Sequence, residues 1–311
     1  MAPDNPLVSV VIPTFNYGHC VAEAVESALA QTYAPVEVIV VDDGSTDDTR
    51  ARLEPYRGRI NYVYQPNQGL SAARNTGIRA ARGSLVALLD SDDAFHPRKL
   101  ELQVAHLRAH PDVGLVATDC FTEPERKWPA VAEPVRAVRE TLRRVVAPAR
   151  FAPSSVLVRR ECFDAVGLFD PTLRSVEDKE MWIRIAARCP VVRLAAPLCW
   201  YRVQPGSMSR NPDRMEEYDR LVLDRAFRLP ELRSSHSLRR KAFSHAALSA
   251  AWLYLTAGRP WAAARRVARA LWLWPLPYPR GETHAPLVRL RLLARAGLDG
   301  LRHSLRKESA C

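Results

Sequence analysis

Three acidic clusters stand where apolar runs of the chain turn. In GSLVALLDSDDAFHPRKL, the run Leu85 to Leu89 ends in Asp90, Asp92 and Asp93. Carboxylates this close repel one another, and none is easily buried alone, so the cluster calls for a cation. Oxygen-only ligands suit a hard divalent ion, Mg2+ or Mn2+. Such an ion is usually held by one or two carboxylates together with substrate phosphates. A metal carrying a diphosphate meets that demand; capping of a following helix by Asp92 and Asp93 is the competing reading. VEVIVVDDGSTDDT adds Asp42 and Asp43. A carboxylate there can accept from a base or a ribose hydroxyl, or it can build an Asp-Gly-Ser turn with Asp47 and Asp48 capping the next helix. In SVEDKEMWIRIAARCP, Glu177 and Asp178 open a helix. Paired acids at a helix start can be tuned as a general base, or can only cap it.

The elements that must position these acids alternate. Leu7 to Pro13 is a β-branched apolar run, expected as a buried parallel strand. Val21, Val25, Ala28 and Leu29 recur at helical spacing, giving a helix from about His19 to Gln31. VEVIVVDD and INYVYQPNQG predict two more strands, and LSAARNTGIRAARG a helix with Gly83 as its C-cap. The DSDD strand follows. Next comes a helix beginning at Pro97, with Leu100, Val104 and Leu107 on one face, and then a strand from Asp112 to Thr118. Strands alternating with helices predict a doubly wound α/β sheet. Ligands of such sheets bind at the carboxyl ends of the strands, where the turns after Ile12, Val41 and Leu89 would converge on one crevice. PTFNYGH stands where a GxGxxG would close the first strand–helix turn, which disfavours a dinucleotide-binding domain. From Glu123 to Arg150 the pattern weakens to loop with short helix. After Pro212 it becomes helical, with a hairpin turning at Gly258 and Pro260. The expected domains are 1–214, α/β, and 215–311, helical.

Taken together, VSVVIPTFNYGHCVAEAVESALAQTY, VIVVDDGSTDDT, QPNQGLSAARNTGIRAARGSLVALLDSDD, SSVLVRRECFDAVGLFD and EDKEMWIRIA resemble a family 2 glycosyltransferase with the GT-A fold, from about Leu7 to Ser209. The resemblance implies a nucleoside-diphosphate sugar as donor, Mg2+ or Mn2+ as cofactor, and a glycan or lipid-linked acceptor in a cell-envelope glycan such as O-antigen, capsule or exopolysaccharide. It implies that Pro13 and Phe15 line the base pocket, that Asp43 binds base or ribose and that Arg74 approaches the nucleotide. Asp92 would touch the ribose, Asp93 would hold the metal with Asp90, and Asp178 would be the base of an inverting displacement. Glu177, Trp182 and Arg202 are candidates for acceptor or phosphate contacts, with Trp182 equally a core residue. Where many relatives have a His after the tyrosine–arginine pair, this chain has Gln204, a poorer metal ligand. A degenerate, non-catalytic nucleotide-binding or interaction protein is the alternative. A nucleotidyltransferase is disfavoured because PTFNYGH is not a Gly-rich basic phosphate loop.

The net charge of +11 on 311 residues fits an anionic partner, or simply an Arg-rich surface. No recognised nucleic-acid module and no clustered basic-aromatic face is legible, so nucleic acid is not expected. The six cysteines are scattered without metal spacing, as core thiols of a reducing cytosol would be. The opening MAPDNPLVSVVIP lacks a basic n-region and no apolar run reaches about 20 residues, so neither a signal peptide nor a membrane helix is expected. The expected location is cytoplasmic. Leu287, Leu290, Leu292, Leu293 and Leu298 interleave with Arg289, Arg291, Arg295 and Arg302 in a basic amphipathic helix. That helix either touches the inner membrane face or packs with an Arg-rich solvated side. Trp252, Trp261, Trp272 and Trp274 are expected to pack the helical tail.

Overall fold

A computed structural model describes residues 5–147, 151–204, 208–278 and 288–308. The chain divides into two compact units, 1–141 with 150–204 and 142–149 with 205–311. Sequence patterning placed a division at 214/215; the units part at 204/205, and the helical one takes in 142–149.

The first unit is built on one mixed sheet. β1 (Val8–Thr14) lies between β2 (Val36–Asp42) and β4 (Leu85–Leu88), parallel to both, and β3 (Asn61–Tyr64) extends β2 in parallel. β1 is buried at every position, which explains why it reads as a continuous apolar run rather than an alternation. α1 (Val21–Leu29), the short α2 (Thr49–Leu53) and α3 (Leu70–Ala80) connect these strands. Beyond β4 the sheet reverses. β8 (Leu157–Arg159) is antiparallel to both β4 and β6 (Leu115–Phe121). β9 (Val191–Trp200) runs parallel to β6 and pairs antiparallel with β5 (Ala94–Phe95) and β7 (Ala137–Glu140). α4 (Lys99–Ala109), α6 (Arg160–Val166) and α7 (Glu177–Ala186) complete the unit. The α/β architecture is as expected. β7 was not legible, because only one of its four residues is buried and it lacks an apolar pattern.

Val10, Ile12, Val38, Val40, Leu85 and Leu89 share one core with Val21 and Val25 of α1 and Leu100, Val104 and Leu107 of α4. Burying each such side chain fully is worth about 1.5–3 kcal/mol. Gly83 is not a C-cap. Ala81 ends α3, and Gly83 lies so close to Leu7 O that a Cβ would sit 2.4 Å from it. Asp92 and Asp93 precede β5 and not a helix, so capping does not explain them.

The second unit holds α5 (Leu142–Val146), α8 (Pro212–Ala226), α9 (His236–Thr256), α10 (Pro260–Leu273) and α11 (Val288–Glu308). The hairpin between α9 and α10 turns at Gly258, whose φ of +71° suits glycine. Among the described residues no helix is long and apolar enough to cross a membrane.

Gly77 lets α3 lie directly on β1: an added Cβ would come 2.2 Å from Val11 Cγ1. Gly77→Ala should therefore lower stability by about 1–3 kcal/mol, the usual cost of overpacking. Denaturant unfolding would show this as a lower midpoint with an unchanged slope.

Candidate functional site

Parallel register brings three turns together at the carboxyl edge of the sheet. Thr14 pairs with Asp42 and Val11 with Leu88; Asp43 N donates to Thr14 O, and Leu89 N to Val11 O. Pro13 is buried within β1, whereas Phe15 just beyond it is 43% exposed, its ring open to stacking. Asn16 fixes the Phe15 loop by accepting from Thr46 N and donating its own N–H to Ser45 Oγ. Gly18 N donates to Asp47 Oδ2, so Asp47 ties this loop to the start of α2.

Arg74 lies at the centre. It is 1% exposed, with Nη2 2.6 Å from Asp90 Oδ1 and Nη1 2.6 Å from Glu177 Oε1. Burial acts to strip its proton, but the charges of Asp90 and Glu177 outweigh burial and hold it. The Phe169 ring lies 5.5 Å from the guanidinium carbon. Asn75, one residue on, makes a reciprocal pair with the Phe169 backbone, donating to its carbonyl and accepting its N–H. Arg74 thus reaches inward to two acids, where the resemblance had it approaching a nucleotide.

The DSDD turn is closed by Asp93 N donating to Asp90 O at 3.0 Å. Ser154 Oγ accepts from Asp90 N and donates to Asp93 Oδ2, and Arg202 N donates to Asp93 Oδ1. Asp93 is therefore buried with both oxygens engaged, and burial, then Asp90 and Asp92, hold its carboxyl well above the usual range. Asp93, expected as a metal ligand, is thus held by Ser154 and Arg202 inside the turn. Asp90 and Asp92 are half-buried. The Asp92 carboxyl is pushed up to about 6, by burial first and then by the Asp90 charge. Arg202 does not point outward as a free clamp. Its Nε–H donates to Asp92 O, its Nη2 pairs with Glu23, and its guanidinium stacks 4.4 Å over Trp200. Gln204 Nε2 reaches Cys20 Sγ at 3.5 Å. Tyr17 also faces the turn; burial and then the Asp92 charge raise its phenol.

Asp43, expected on base or ribose, is buried and accepts from Gln65 Nε2, Gln68 N and Gly69 N. It gathers the 65–69 loop that leads into α3. Asp42 accepts from Ser45 N and Tyr62 Oη. Across the crevice, Val176 adopts a left-handed φ of +62° just before α7. A β-branched residue there stores strain of about 1–3 kcal/mol, as functional sites often do. The turn leads directly into Glu177, paired with Arg74, and Asp178. The Asp178 carboxyl is pushed up to about 6 by burial and then by Glu177. Trp182 is core, not acceptor pocket: it is 2% exposed, donates to Phe151 O and meets Phe169 edge-on.

Among the described residues no three His, Cys, Asp or Glu side chains form a closed metal cage. An ion that also binds substrate phosphates needs only one or two protein carboxylates. The half-buried Asp90 and Asp92, whose mutual repulsion a cation would relieve, fit that demand. The residues that sequence reasoning missed are braces: Asn16, Gln65, Gln68, Asn75, Ser154 and Glu23. QPNQG, a polar stretch directly after a strand, was the available signal for two of them.

The family model Glycosyl transferase family 2 matches residues 9–167. An uncharacterized glycosyltransferase of Rickettsia prowazekii is 31% identical over 186 residues, which is 58% of this chain and 58% of that protein. Escherichia coli chondroitin synthase is 40% identical over 116 residues, covering 36% of this chain and 17% of the synthase. The chain thus spans little over half, or far less, of these relatives. Staphylococcus aureus TarS 1–349 in complex with UDP-GlcNAc superposes with a TM-score of 0.61 at 20% identity, covering 88% of this chain and 93% of that one. The mannosyltransferase PcManGT from Pyrobaculum calidifontis, in complex with GDP-Man and Mn2+, gives 0.62 at 21% identity, covering 99% and 84%. The fold is therefore the GT-A type implied by the sequence resemblance.

Replacing Arg74 by Met would leave Asp90 and Glu177 without their shared cation, and should cost about 3–5 kcal/mol in denaturant unfolding. Asp92 and Asp178, with carboxyls near 6, bind protons more tightly folded than unfolded. Their contribution to stability is fully present below the unfolded value of about 3.9 and is lost as pH rises through about 6. Asp92→Asn with Asp178→Asn should remove that part of the pH dependence, as measured by unfolding midpoints at pH 4.5 and 7.5.

Proposed function

The chain belongs to glycosyl transferase family 2, and on that premise we propose that it moves a sugar from a nucleoside diphosphate to an acceptor hydroxyl with inversion. The observation that carries this reading is the Arg74 bridge, which joins Asp90 of the DSDD turn to Glu177 of the acid pair that opens α7. Phe15 stacks on the base. Asp90 and Asp92 would hold Mg2+ or Mn2+, with Asp93 as the brace beneath them. The ion, when bound, neutralises the diphosphate. Glu177 fixes the start of α7, so Asp178 meets the acceptor oxygen. With its carboxyl near 6, Asp178 is ionised at neutral pH and basic enough to take the hydroxyl proton. The oxygen then attacks the anomeric carbon from the face opposite the leaving group.

The acceptor in this reading is a growing cell-envelope glycan or its lipid-linked precursor, presented at the cytoplasmic face of the membrane. The partial likeness to chondroitin synthase, a polysaccharide-forming enzyme by its name, supports a polysaccharide destination.

Incubation with UDP-, GDP- and dTDP-sugars should release nucleoside diphosphate from one donor, and EDTA should stop the release. Asp178→Asn should slow it by roughly 10²–10⁴-fold, the usual worth of a general base. The wild-type rate should fall as pH drops through about 6. Failure of every donor both to react and to bind by calorimetry with Mn2+ present would overturn the reading.

A further inference from the structure

The helical unit exposes tryptophans that were expected to be packed. On α10, Trp261 is 49% exposed and Trp272 is 75% exposed. Positions 261, 265, 269 and 272 follow helical spacing, so Trp261, Arg265, Arg269 and Trp272 form one outward stripe spanning roughly 16 Å at 1.5 Å per residue. The opposite side of α10 is the packed one, with Ala262, Ala263, Val267 and Ala270 buried. Its other internal arginine, Arg266, is committed to Glu216 and lies 4.2 Å over the Tyr254 ring. Arg265 and Arg269 have no ion-pair partner among the described residues.

α11 repeats the arrangement. Arg289 is buried and donates to the carbonyls of Trp274 and Leu276, while Leu292 and Ala296 pack against neighbouring helices. Leu290, Arg291, Arg295 and Leu298 are exposed. Leu287 lies outside the described residues, as does the side chain of Arg302. Between Arg259 and Lys307 the sequence holds only two acids, Glu282 and Asp299.

Exposed indole rings flanking arginines on a helix face are the pattern of a surface seated at the lipid–water interface, with rings at headgroup depth and cations on phosphates. Charge decides between occupants. A second copy of this face would set Arg265 and Arg269 against like charges with few acids nearby, whereas an anionic bilayer complements them. We infer that α10, through Trp261, Arg265, Arg269 and Trp272, docks this protein on an anionic lipid surface, with the outer face of α11 adding to the contact. This rests on the proposed lipid-linked acceptor only for its purpose, since the docking itself requires no transfer.

The test is co-sedimentation of the full chain with phosphatidylcholine vesicles, with and without about a third phosphatidylglycerol. The wild type should bind the anionic vesicles, and binding should weaken as salt is raised. Trp261→Ala with Trp272→Ala, and separately Arg265→Gln with Arg269→Gln, should each weaken binding about tenfold or more, with helical content by circular dichroism unchanged. Donor binding by calorimetry should be the same in these variants as in the wild type, which separates this inference from the transferase reading. Equal binding by wild type and both variants would overturn it. So would failure of the wild type to bind, a dimer that the tryptophan variant converts to monomer, or binding of RNA in place of vesicles.

Discussion

The site depends on one buried cation. Arg74, on the helix after β3, extends a planar fork between Asp90 at the end of β4 and Glu177 at the start of α7. Three charges in an apolar interior survive only if geometry and hydrogen bonding repay their desolvation, and removal of any one leaves another stranded. Both arms of the fork are used at 2.6 Å. An arginine suits this bridge because its two Nη groups address two carboxylates in one plane; a lysine would offer a point charge. The bridge fixes the separation between the DSDD turn and the acid pair that opens α7, the two ends of the proposed transfer. The proposed transfer needs that separation held constant.

Around the bridge, several acids are committed to neighbouring groups of the chain. Asp93 is spent on Ser154 and Arg202, and Asp43 on the 65–69 loop. Asp92 and Asp178 have raised carboxyls because burial and like charge crowd them. Such crowding favours the protonated fold, whereas the proposed cation binding and proton uptake both need the ionised form. The site is thus held in a condition less stable than it could be, a common mark of function.

The strands β1, β2 and β4, the carboxyl-edge turns and the acid pair of α7 were legible because each is a local signal: a β-branched run, a turn composition, a helix start. The antiparallel half was less legible. β7 and β8 are short and take their direction from pairing with β9, β4 and β6, which no local pattern encodes. Within the site, residue types were legible and their partners were not. DSDD announces three carboxylates, but which one turns inward depends on Ser154, more than sixty residues away. In the tail, apolar content alone predicted packed tryptophans. Helix phase places Trp261 and Trp272 on the outer stripe, and that phase was fixed only once the packed alanines were seen.

The most direct test of the central claim is electron paramagnetic resonance of Mn2+ titrated with the protein, with and without UDP or GDP. The free-ion signal should fall strongly only when protein and one nucleoside diphosphate are present together. Asp92→Asn should abolish the fall, and Asp178→Asn, across the Arg74 bridge, should leave it intact. Undiminished Mn2+ uptake by Asp92→Asn would contradict the assignment of the outward carboxylates as the metal–diphosphate site.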